Sequence, residues 1–105
     1  MSEAVSAMEK RVFITRGTCS VWIEMIDGSV RLSGQDLGGF PGAGEYEYWI
    51  TVQSSDFPRI REMLGAAPDA DIEDLLCVNA GMIYSRGEMT WFESIGITPE
   101  FSNYF

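Results

Sequence analysis

The chain has 105 residues, 46% of them apolar and 12% aromatic, enough for one hydrophobic core without metals or disulfides. Its net charge of -9 excludes nucleic acid as a direct ligand, because phosphate binding needs clustered lysine and arginine. The same charge opposes docking on an anionic membrane, so what the chain attracts is basic: a protein, a peptide or a cation.

The opening "MSEAVSAMEK" lacks the apolar centre of a secretory signal, and no run of about 18 apolar residues offers a membrane span. A cytoplasmic protein is expected, with Cys19 and Cys77 as reduced, ordinary buried cysteines. Residues 1–9 read as a flexible leader and 10–105 as a single α+β domain.

From Val12 to Val52 the texture is that of strands. "VFIT" (Val12–Thr15) is a short β-prone run. "SVWIEMI" (Ser20–Ile26) alternates, with Val21, Ile23 and Met25 on one face and Trp22, Glu24 and Ile26 on the other. Asp27–Gly28 is a tight-turn signal, and "SVRLS" (Ser29–Ser33) returns with Val30 and Leu32 on one side. The glycine-rich "GQDLGGFPGAG" reads as a long hairpin connection with Phe40 as an apolar tip. In "EYEYWITV" (Glu45–Val52), Tyr46, Tyr48, Ile50 and Val52 share a face, opposite Glu45, Glu47, Trp49 and Thr51. These runs predict an antiparallel meander of three to four strands over residues 12–53.

At Ser54 the period becomes helical. "SSDFPRIREMLG" offers Ser55 or Asp56 as N-cap, a proline in the first turn, a stripe of Phe57, Ile60 and Leu64, and Gly65 as a stop. A second helix is expected over 70–84, its first turns rich in acids and its inward face made by Ile72, Leu75, Leu76, Asn79, Met82 and Ile83. "SRGE" (Ser85–Glu88) has capping-box spacing before a third helix over 87–96, in which Trp91 and Phe92 pack in the core. The tail "ITPEFSNYF" reads as irregular. Strands first and helices after predict helices packed on one face of a small sheet.

Chemistry is defined mostly by exclusion. There is no histidine, which removes Ser-His and Cys-His mechanisms and most zinc sites. The glycine-rich stretch runs from strand to strand, and no lysine follows Lys10, so it is not a phosphate cradle. Glu45 and Glu47, roughly 7 Å apart along a strand, have a spacing open to glycoside hydrolysis, yet such a pair is ordinarily a solvated strand edge. "DADIED" (Asp69–Asp74) lacks the spaced ligands, glycine and closing glutamate of a calcium loop and reads as a helix start. No catalytic residue, metal or cofactor is therefore assigned.

Binding is the remaining signal. Residues 62–105 hold eight acids and one base, Arg86, so the second half forms a negative body. Aromatic residues flanked by acids suit recognition of a basic protein. The expected contact residues are Phe40 and Trp49 as anchors, with Glu45, Glu47, Asp69, Asp71, Glu73 and Asp74 supplying charge. "SGQDLGG…GEYEYWITV…DFPRIREMLG" and the closing "WFESIGITPEFSNYF" together resemble a group of small, acidic, mostly uncharacterised bacterial proteins, over Arg31 to the C-terminus. Some of that group are similar to immunity partners encoded beside polymorphic or contact-dependent inhibition toxins. The resemblance implies a non-enzymatic cytosolic protein that binds and blocks a toxin domain, often a basic nuclease. The alternatives are a housekeeping protein-interaction domain and a carboxylate-dependent hydrolase.

Overall fold

The computed structural model describes residues 11–40 and 44–104, with the backbone alone at 37–40, 44–46 and 104. The leader expected at 1–9 lies outside them. The fold is α+β, one antiparallel sheet of five strands and four short α-helices. The strands are β1 (Arg11–Arg16), β2 (Cys19–Ile26), β3 (Ser29–Phe40), β4 (Gly44–Val52) and β5 (Glu100–Tyr104), adjacent in space in chain order. The helices α1 (Phe57–Met63), α2 (Ile72–Val78), α3 (Ala80–Arg86) and α4 (Glu88–Ser94) all fall between β4 and β5.

Local chemistry sets the turns. Asp27 and Gly28 both take positive φ (51° and 80°), the conformation a two-residue hairpin needs to match strand twist. A bulge between Val12 and Ile14 lets Phe13 turn into the core from an edge strand. Gly65 and Gly96 end α1 and α4 in the same way. In each, the glycine N–H and the next N–H reach back to carbonyls of the last turn: Gly65 to Glu62 and Ala66 to Arg61, Gly96 to Glu93 and Ile97 to Phe92.

The core is the contact between one sheet face and the helices. Val21, Ile23, Val30, Leu32, Ile50 and Val52 meet Ile60, Leu76, Ile83, Trp91 and Phe92, all buried. Each such side chain stabilises the fold by about 1.5–3 kcal/mol relative to exposure. Helices of seven residues do not persist alone, so this face holds them in place.

Five expectations are corrected. The third strand does not stop at Ser33: β3 runs through the glycines to Phe40 and pairs with β4 along its length, with one register shift after Asp36. The helix expected over 70–84 breaks at Asn79, whose side chain donates to the Leu75 carbonyl at 2.9 Å, taking the acceptor a continuous helix would use for the Asn79 N–H. The break shifts the inward stripe to Ile72, Leu76, Ala80 and Ile83 and leaves Met82 exposed. Met25 does share the face of Val21 and Ile23, opposite Val30, and is exposed there because β1 as described pairs with β2 only as far as Ile23. Ser85 lies inside α3, so no capping box forms, and the tail expected to be irregular is β5, paired with β4.

Candidate functional site

The helices cover one face of the sheet, and side-chain alternation fixes what the other face carries. Ser20, Trp22 and Glu24 of β2 lie beside Gln35, Ser33 and Arg31 of β3. These in turn oppose Glu47, Trp49 and Thr51 of β4, and Ser102 and Glu100 of β5 complete the face. One cross-strand row therefore reads Val12, Trp22, Ser33, Trp49, Ser102. The two tryptophans are two strands apart, about 10 Å, with a serine between them.

Ser33 is only 6% exposed, and its Oγ, like Arg31 Nε, is buried without a hydrogen-bond partner. A shallow depression of about 160 Å³ lies here, walled by Trp22, Trp49 and the Gln35–Glu47 pair, in which Gln35 Nε2 donates to Glu47 Oε2 at 3.1 Å. A second depression of about 200 Å³ on the other flank of Trp49 is lined by Arg31, Thr51, Glu100 and Ser102. Bare aromatic surface beside unsatisfied polar atoms is the composition of an interface centre.

The expected contact residues divide between the two layers. Glu47 and Trp49 stand on the open face, as does the backbone position of Glu45 by alternation; the side chains of Glu45 and Phe40 lie outside those described. Asp69 is exposed in the connection between α1 and α2, and the other three acids sit on α2 in the helical layer. Asp71 caps α2, accepting from the Asp74 N–H at 2.9 Å, while Glu73 and Asp74 occupy its first turn. Asp74 also forms an ion pair with Arg11 of β1. These acids are thus not brought together with Trp49. The sequence reading placed Trp22 and Glu24 on this face but passed over Arg31, Ser33 and Gln35. The same alternation, carried past Ser33 into the glycine-rich stretch, would have found Gln35.

A cleft opens on the opposite, helix-bearing side. Gly34 of β3 faces Tyr48 of β4, and the phenol ring lies flat over the glycine; a Cβ there would meet the ring at 2.1 Å. That pose carries Tyr48 Oη to Glu88 at the start of α4, where it donates to Oε2 at 2.8 Å. Glu88 is 8% exposed, and burial raises its carboxyl above the ordinary glutamate value, opposed by the hydrogen bonds from Tyr48 and from its own backbone N–H. Burial first, then the neighbouring Glu88 charge, pushes the Tyr48 phenol up. Tyr84 of α3 sits beside Cys19, and its phenol is pushed up to about 12, first by a hydrogen bond with Cys19 and then by burial. Both cysteines are free thiols. Cys19, Asp36, Tyr48, Tyr84, Glu88 and Phe101 line an open cleft of about 340 Å³. This cleft is not legible from residue spacing, where Glu88 reads as a capping residue.

Among the described residues no three His, Cys, Asp or Glu side chains converge on a point that would hold a metal ion, and no helix is long and apolar enough to cross a membrane. Compared with protein-family models, curated proteins and solved structures, the chain has no match in any of the three.

Proposed function

We propose that the protein works by binding, as an immunity-type inhibitor whose open sheet face docks on a basic protein domain and blocks it. The observation that carries this reading is the row of Trp22, Ser33 and Trp49, which no described residue covers, with a buried hydroxyl that has no partner among the described residues. A sheet face closed by solvent alone has no need of two large aromatics; an interface centre does. Glu24, Glu47 and Glu100 rim the face, and the net charge of -9 steers a cationic partner toward it. The motif resemblance makes that partner a toxin domain, a basic nuclease in its commonest form, whose nucleic-acid cleft the carboxylates would fill. The acids of α2 act at longer range, through the field of the helical layer, because they face away from the tryptophans.

The test is co-expression with the product of the adjacent gene. Rescue of growth and co-purification, both lost on replacing Trp22 and Trp49 with alanine, are the expected results. Association should also weaken as salt rises, because its steering is electrostatic. Full rescue by the double alanine variant would remove the open face from the mechanism.

A further inference from the structure

Glu88 poses a separate problem. A carboxylate this far buried needs a cation or several donors, and among the described residues the hydroxyl of Tyr48 is its side-chain donor. Among the described residues, Arg11 pairs with Asp74 and Arg59 with Glu62, and no arginine pairs with Glu88. The carboxylate faces a cleft of about 340 Å³, within the range of small-ligand sites.

The walls of the cleft say what would fit. Tyr48 and Phe101 stack with ring centres 6.2 Å apart, and Tyr84 adds a third ring. Aromatic faces attract cations and alkyl groups alike. Attraction of this kind already operates next to the cleft, where the Arg16 guanidinium rests 5.8 Å from the centre of the Tyr84 ring. Asp36 supplies a second carboxylate at the wall, where it accepts from Thr18 Oγ1 at 2.7 Å. Two carboxyls repel an anionic ligand, and apolar Ile50 and Met89 suit an alkyl portion.

We propose that this cleft binds an alkylammonium group, its charge against the Glu88 carboxylate and its alkyl stem among the rings of Tyr48, Tyr84 and Phe101. The group comes either from a small free amine or from a lysine side chain of a bound polypeptide. The site is independent of the open face, from which the sheet itself separates it.

The test is an NMR titration of the full chain with n-butylammonium, with Nα-acetyl-lysine methylamide and with the neutral 1-butanol, following the ring signals of Tyr48, Tyr84 and Phe101. Saturable shifts with both amines, and binding of 1-butanol weaker by roughly tenfold or more, are expected. Lysine amide binding tighter than butylammonium identifies a polypeptide side chain as the source; equal affinity identifies a free amine. Glu88→Gln should weaken both amines by roughly tenfold or more. Phe101→Ala, at an exposed edge strand, should weaken them without disturbing the fold, and it decides the matter if Glu88→Gln does not fold. Replacing Trp22 and Trp49 should leave amine binding unchanged, so failure here and failure of the proposed function are told apart. No saturation below about 50 mM amine, or equal affinity for 1-butanol, would overturn the proposal.

Discussion

The two faces of the sheet are built from the same strands and obey opposite rules. On the helix-bearing face, apolar residues from β2, β3 and β4 disappear under four short helices, and the buried carboxyl that enters there, Glu88, accepts a hydrogen bond from Tyr48. On the open face the large residues are tryptophans, left half-buried, and a buried serine hydroxyl has no partner. Among the described residues the chain itself covers the first face and leaves the second open. Under the proposed function, folding stability belongs to the first face and partner docking to the second, and substitutions should separate the two.

The largest effect should come from Phe92→Ala. This fully buried ring lies at the centre of the helical layer, and its loss should lower unfolding free energy by about 3–5 kcal/mol in urea denaturation. Gly34→Ala should follow, at about 1–3 kcal/mol, because the new methyl displaces the Tyr48 ring. Loss of the Tyr48–Glu88 hydrogen bond, seen as a shift of the Tyr48 ring signals, would accompany it. Asp71→Ala should cost about 1 kcal/mol through the cap of α2.

Glu88 sharpens the comparison through pH. Its carboxyl is raised in the folded protein, so between the ordinary glutamate value of 4.5 and the raised value the folded state holds more protons than the unfolded one. Stability from this residue is therefore complete below that window, falls as pH rises through it, and stays level above. Glu88→Gln should remove that fall. The check is the difference in urea midpoint between wild type and variant, followed from about pH 4 to about pH 8. A difference that does not change with pH would show that the carboxyl is not perturbed. The smallest stability effect should be that of Trp22→Ala or Trp49→Ala, within about 1 kcal/mol, since each ring already meets solvent.

Much of the fold was legible because strands speak through alternation and turns through single residues. The Asp27–Gly28 turn, the placing of Trp49 on the strand face opposite Tyr48, and the burial of Trp91 and Phe92 all followed from spacing. The break at Asn79 was not, since one side-chain hydrogen bond to Leu75 decides it against a stripe that suits a longer helix. Nor was β5: "EFSNY" takes strand form because β4 offers it an edge, a partner four helices earlier in the chain. The contact residues show the same limit. Glu47 and Trp49 share a face by local rule, whereas the acids of α2 are carried to the other layer by the chain's return across the sheet. The cleft depends on Gly34 meeting Tyr48 and Tyr48 meeting Glu88, pairings that exist only once register is set.

The most direct measurement compares stability and partner affinity in the Trp22→Ala, Trp49→Ala double variant, using the adjacent gene's product as ligand. An affinity lowered by about 4 kcal/mol, roughly a thousandfold, with unfolding free energy changed by less than about 2 kcal/mol, is the predicted result. Retained affinity would put the partner elsewhere on the molecule, and affinity lost only together with the fold would make the open face structural.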